Sequence, residues 1–425
     1  MPATFGTPKA PNGRYLGDAP SKFRGQTPPG THHMQHHGLT LAGLLLAGSL
    51  PAQQLRTLSK PDAEFPDPFT SVSGVRELKD GRVVTIDIKD KVAQLVDFTS
   101  ARLKKIGREG SGPKEYALPM ALLALPGDSS LIFDPLNNRS LLVLPNGDPG
   151  DFVTMGSSAR RSGGGGMMTM SMAPPRYADA RGRIYMTGSG LSMGPDGART
   201  ADSLPVLRFD RSTGKTDTVA FVRQPKENTV TTSSGGGSMQ VRMGVANPFA
   251  PRDEWAITPD GRVAVIRSPE YRVDWANPTR TLGAPIPYQR VKVSEGHKQA
   301  WRDSRKNATA IMVTRNNGTV DTRAGSPGMG GLTIPEPDSW PEFMPPFVAQ
   351  GTSVLAAADG NIWVLRTRET SDNVPTYDVI DATGKVAYRV SLPSKTRVVG
   401  FGKGNVYTVR TDEDDLQYLQ RFKAP

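Results

Sequence analysis

The chain reads as an all-β protein: a six-bladed β-propeller with an N-terminal strand closing the last blade, flexible loop insertions and one short helix. Three observations lead there. With 45 glycines, 37 prolines and 36% hydrophobic residues in 425, the composition suits many short strands joined by tight turns. Six hairpins of one pattern recur along the chain, the signature of a repeat architecture. After the sixth, the chain ends without room for a fourth strand, so an earlier segment has to complete that unit.

Taken in order, residues 1 to 52 are an N-terminal extension with an export signal. LTLAGLLLAGSL, residues 39 to 50, is an apolar run too short for a membrane span and followed by Pro51-Ala52, which suits a signal-peptide core cut after Ala52. Translation from Met1 or from Met34 is compatible with this pattern. The expected location is therefore periplasmic or extracellular, with no membrane span after cleavage and residues 53 to 425 forming the propeller. Cysteine is absent, so disulfides, thiolate metal sites, a thiol nucleophile and a lipoprotein anchor are all excluded. His32, His33, His36 and His37 precede the cut, which leaves only His297 and removes most support for histidine metal sites or a Ser-His-Asp triad. The net charge is +11, and beyond residue 52 there are 48 basic against 40 acidic residues, interleaved. That pattern is a solvated basic surface, and no nucleic-acid partner is expected.

The stretch Arg76 to Tyr116 holds one complete unit and its junction to the next. Inner hairpins turn at Asp80-Gly81, Gly127-Asp128, Arg181-Gly182, Asp260-Gly261, Asp359-Gly360 and Gly402-Lys403-Gly404, before RVVTID, SLIFD, RIYMTG, RVAVIR, NIWVLR and NVYTVR. Outer hairpins turn at Asn146-Gly147, Thr213-Gly214 and Thr383-Gly384. Such sheets cannot each bury two faces alone, and packing them radially solves the problem. QLRTLSK, Gln54 to Lys60, is the expected closing strand of the sixth blade. About 62 residues per unit exceed a typical propeller repeat, and three insertions take up the surplus, near 157 to 175, 224 to 244 and 294 to 340. The first two read as low-complexity mobile loops. The third opens with a helix capped by Ser294 and carrying Trp301, Ala308 and Ile311 on one face.

Three segments also carry a family likeness: LKKIGREGSGPKEYALP (Leu103 to Pro119), PEFMPPF (Pro341 to Phe347) and TDEDDLQYLQRF (Thr411 to Phe422). They resemble bacterial exported six-bladed β-propeller proteins of the NHL-repeat-like superfamily, the first matching that group's G-x-x-G-x-G-P-x-E-F junction with Tyr116 in place of Phe. The resemblance spans about residues 54 to 425 and implies a fold far more strongly than an activity.

No catalytic residue and no metal ligand is assigned. The glycine-rich junction lacks the GK[ST] and following helix of a phosphate loop and reads as an inter-blade crossover. Arg108, Glu109, Glu115 and Tyr116 near its mouth are the candidate ligand-binding residues. The thioethers of Met155, Met167, Met168, Met170 and Met172 could hold Cu(I), but biased linker composition explains them more simply. Asp412 to Asp415 lack a calcium-loop spacing and read as a hairpin turn. Lys298, Arg302, Arg305, Lys306, Arg315 and Arg323 read as a solvated basic face. The expected function is a non-enzymatic, monomeric binding module for a protein, peptide or glycan, without cofactor. The alternative is a Ca²⁺-dependent lactonase-like hydrolase or lyase with its site in the channel.

Overall fold

The structure is a computed structural model and describes residues 54–153, 174–188, 191–194, 197–225, 227–233, 240–276, 279–306, 310–316, 319–325, 336–349 and 351–425. Each inner hairpin turns where the sequence places it. Gly81, Gly127, Gly182, Gly261, Gly360 and Gly404 all have φ between +71° and +86°, a conformation in which a side chain would collide with the backbone.

Six antiparallel blades result. Blade one is Val72–Glu77, Val83–Asp87, Val92–Asp97 and Arg102–Lys105; blade two is Ala121–Ala124, Ser130–Asp134, Arg139–Val143 and Pro149–Val153. Blade three is Tyr177–Ala178, Ile184–Thr187, Ser203–Asp210 and Lys215–Arg223; blade four is Glu254–Ile257, Val263–Arg267 and Arg272–Trp275. Blade five is Val354–Ala356, Ile362–Leu365, Thr376–Ile380 and Val386–Ser391; blade six is Thr396–Gly402, Asn405–Thr411 and Gln417–Lys423. The first strand of each blade is the inner one, and those of blades six, one, two, three, four and five follow one another in space.

Apolar layers fill the gaps between blades. Val84 and Leu95 meet Ile132 and Leu141 between blades one and two, and Trp363 and Tyr377 meet Val398 and Val406 between five and six. Each second strand is covered on both faces, which is why RVVTID and RVAVIR are apolar without alternation: Val83–Asp87 is buried at every position.

Ring closure differs in detail from the expectation. The segment from Gln54 to Lys60 does not complete blade six: Leu55–Thr57 instead adds in parallel to the outer strand of blade five, with Leu55 opposite Arg389. The strand that completes blade six is Ala63–Glu64, antiparallel to Gln417–Lys423. Burial decides this, because Phe65 and Phe69, 0% and 3% exposed, fill the gap between blades six and one and fix the register of the segment just after Pro61. The Phe65 ring packs with Phe69 and Phe98, and Phe98 in turn with Tyr407.

Polar groups complete the seam. The Glu77 carboxylate accepts hydrogen bonds from Lys403 N, Asn405 Nδ2 and Tyr407 Oη at 3.2, 2.8 and 2.6 Å. Blade six can come this close because Gly400 has no Cβ, which would lie 2.6 Å from Val75 Cγ2 and 3.0 Å from the Val75 carbonyl oxygen.

The second and third insertions contain paired strands that their composition does not suggest. Within the second, Glu227–Ser233 pairs with Gln240–Ala246 as a hairpin rather than a structureless loop. In the third, the helix spans Glu295–Lys306, and Ile311 belongs to a strand, Ala310–Asn316, paired with Thr319–Gly325. The β-branched and apolar run there favours a strand, and Asn317-Gly318 is a hairpin dipeptide. Residue 308, the methionine cluster of the first insertion and the proposed export signal lie outside the described residues.

Gly400→Ala is expected to lower stability by about 1–3 kcal/mol through overpacking against blade one, read as a lower midpoint in urea unfolding. Removing residues 54 to 60 should cost less than removing 54 to 65, which also takes the closing strand and Phe65; equal losses in thermal melts would count against this account of closure.

Candidate functional site

In a four-stranded blade, the loops joining second to third strands and the crossovers to the next blade emerge at the same end of the ring. The glycine-rich junction, the charged groups of blade four and the helix all belong to elements at this end.

At the junction, Arg108–Glu109 forms a short parallel ladder with Glu115–Tyr116, so the four candidate residues are neighbours. Glu115 accepts from Gly112 N at 2.7 Å and Arg108 Nε at 2.6 Å, which together hold its carboxyl below the usual range. Glu109 accepts from Lys91 Nζ at 2.9 Å. Tyr116 is 1% exposed, with its hydroxyl accepting from Ala93 N at 3.0 Å, and burial pushes its phenol up. Arg108, with 82% of its side chain exposed, and Glu109 are the members of the set that face solvent.

The helix is positioned by a device the sequence reading missed. Ser294 and His297 form a reciprocal cap: His297 N donates to Ser294 Oγ, and Ser294 N donates to His297 Nδ1 at 3.1 Å. With Nδ1 accepting, Nε2 carries the proton and donates to the Arg368 carbonyl at 3.0 Å, tying the helix to blade five. The S-x-x-H spacing, a capping box with His in place of Glu, was the available signal. Both nitrogens of this buried imidazole are occupied by the fold.

Between the helix and blade five lies a cavity of about 490 Å³. Ala300, Met344, Val348 and Leu365 give it an apolar wall, and Arg366, Arg368, Glu369 and Asp372 its polar groups. Arg366 is placed by a buried carboxylate. Asp378, 0% exposed, accepts from Tyr271 Oη at 2.6 Å and Arg389 Nε at 2.9 Å, while Arg366 Nε stands 3.7 Å away. Tyr271 comes from blade four, so the neighbouring blade helps hold the carboxylate beside Arg366; burial and the adjoining carboxylate push its phenol well up.

Beside it, six side chains close a ring of alternating charge: Arg223 pairs with Asp253 and Glu270, Arg267 with Asp253 and Asp274, and Arg272 with Asp274 and Glu270. Asp253 also accepts from Ser268 N. Burial opposes ionisation of Asp274, but Arg272 and Arg267 outweigh it and hold the pKa below the ordinary range; Arg223 does the same for Glu270.

Other candidates are internally neutralised. Lys298 pairs with Glu295, and Arg302 with both Glu295 and Glu336; the side chains of the remaining basic residues of that insertion lie outside the described residues. Asp412 accepts from Asp414 N and Leu416 N, shaping its own turn. Among the described residues, no three His, Cys, Asp or Glu side chains gather closely enough to share an ion, and no helix is long and apolar enough to cross a membrane.

No known family's sequence profile matches the chain, and no curated protein does. Solved structures with similar architecture include a member of the duf4221 family from Bacteroides vulgatus, at 11% identity and a TM-score of 0.41, covering 86% of this chain and 97% of that one. Regucalcin from Agrobacterium tumefaciens, a calcium-binding protein, matches at 12% identity and 0.39, covering 88% and 97%. A gluconolactonase from Xanthomonas campestris matches at 10% and 0.36, covering 84% and 91%. The chain is a six-bladed propeller. At these identities the likeness concerns the fold alone.

His297→Gln keeps an N3 acceptor but loses the bond to Arg368, whereas His297→Ala loses both. The expected costs are about 1 and about 2–3 kcal/mol, measured by urea unfolding. For the charge ring, the folded-state values of Glu270 and Asp274 are depressed, so their stabilisation is complete above the unfolded carboxylate values near about 4 and is lost as pH falls through the lower folded ones. Unfolding free energy should therefore fall below about pH 4, and less steeply in Arg272→Met.

Proposed function

We propose that this protein is an exported, non-enzymatic binding module that receives part of a peptide, protein or glycan in the cavity between the helix and blade five. The observation carrying this reading is the cavity itself: about 490 Å³, within the range of ligand pockets, with an apolar wall and a few polar groups. Two features support it. His297 is committed to capping the helix and tying it to blade five. The buried carboxylates Asp253, Asp274 and Asp378 are committed to arginines, amides and a tyrosine. The Arg108 junction, on a crossover at the same end of the ring, offers a further contact for a large ligand. Export rests on the apolar run at residues 39 to 50, and the absence of a cofactor is part of the proposal.

The competing reading is a Ca²⁺-dependent lactonase-like hydrolase or lyase working from the channel. Peptide and glycan arrays probed with residues 53–425 should give binders whose affinity falls at least tenfold in Ala300→Trp, which fills the cavity from an exposed helix position. Failure of every array, together with hydrolysis of sugar lactones and a Ca²⁺-dependent rise in melting temperature, would establish the enzyme instead.

A further inference from the structure

Resting on the binding-module reading, we infer that the cavity recognises a peptide ending in a free carboxylate on an apolar residue, with Arg366 and Arg368 as the carboxylate receptors. Both arginines line the cavity with donors to spare. Arg366 makes no side-chain hydrogen bond to the described residues; its nearest carboxylate, Asp378, is 3.7 Å away and already accepts from Arg389 and Tyr271. Arg368 uses Nε alone, to the Asp372 carbonyl at 2.9 Å. Two guanidinium forks therefore face the same space with terminal nitrogens unengaged by the described residues, and such forks match a carboxylate in geometry and charge.

The surroundings narrow the ligand further. Arg366 and Arg389 share one buried carboxylate, so Asp378 does not neutralise both guanidiniums. Next to it stand the side chains of Leu365, Met344 and Val348. A C-terminal residue carries its carboxylate and its side chain on one Cα, so a single apolar residue could meet both the forks and the apolar wall. Glu369 and Asp372, exposed on the cavity lining, disfavour a ligand with repeated negative charge such as a polyuronate. Arg366 directly follows Ile362–Leu365 and stands 3.7 Å from Asp378, which Tyr271 and Arg389 hold in place, while Arg368 is oriented by its bond to the Asp372 carbonyl within the following connection.

The test uses residues 53–425 and two probes, acetyl-Ala-Ala-Leu with a free carboxylate and the same peptide as its C-terminal amide, titrated calorimetrically. The free acid should bind at least tenfold more tightly than the amide. Arg366→Met and Arg368→Met should each remove that preference and leave amide binding unchanged, with Arg366→Lys intermediate because it restores charge without the fork. Melting temperatures of each variant show that the ring is intact. Equal affinity for acid and amide, or a preference that survives both methionine substitutions, overturns the inference. So does an absence of binding by either peptide, and array binders sensitive to Ala300→Trp would in that case leave the binding-module reading standing.

Discussion

Everything in this structure depends on joining the last blade to the first. A radial stack of sheets buries its faces only when every blade has two neighbours, so an open seam would expose the aromatic layer of Phe65, Phe69, Phe98 and Tyr407 to water. Two groups about 330 residues apart in sequence, Glu77 and Tyr407, meet at 2.6 Å across that seam. Bringing together groups this distant in sequence costs more loop-closure entropy than pairing within a blade, so the seam depends on the intervening blades to hold its two sides in place. The N-terminal segment secures it twice: Ala63–Glu64 completes blade six, and Leu55–Thr57 grips blade five. Arg410 and Gln420 both donate to Glu64, so the short closing strand is held by side chains as well as by its ladder.

One position in five of the six blades shows how a common frame acquires local differences. The residue ending the second strand is Asp87 in blade one and Asp134 in blade two, where it accepts amide hydrogens from the incoming chain at Thr70 and Ser71, or at Ala117 and Leu118. In blades four, five and six, a residue within one position of the end of that strand is Arg267, Arg366 and Arg410, facing carboxylates instead. An aspartate at this place ties down a crossover. An arginine there needs a partner or a ligand, because burying an unpaired charge is costly. Arg267 and Arg410 have close partners, whereas Arg366 stands farther from its own and borders the cavity.

That cavity exists because an insertion folded back onto the ring. The segment between blades four and five contributes a helix whose cap and whose tie to blade five both come from His297. Phe249, Trp301 and Trp340 pack beneath it as a satellite cluster, so the helix rests on its own small core. The cavity wall is thus set by packing and hydrogen bonds rather than by loop composition.

The fold was legible in the sequence because its determinants are local: positive-φ glycines at each inner turn, and second strands apolar on both faces. The identity of the closing strand was not, since length alone favoured the segment Gln54 to Lys60 while the burial of Phe65 and Phe69 selected Ala63–Glu64. The glycine-rich junction reads from sequence as a crossover with Tyr116 buried, and the structure places that ring in the core and the Arg108 guanidinium in solvent, whereas the pairing of Arg108 with Glu115 depends on the folded turn between them. The cavity was invisible for a related reason. Met344 and Arg366 are 22 residues apart, and only the folding of the insertion against blade five places both on one wall. Local turn chemistry and strand patterning determined that this chain is a six-bladed ring; long-range packing alone decided how the ring closes and where it leaves room for a ligand.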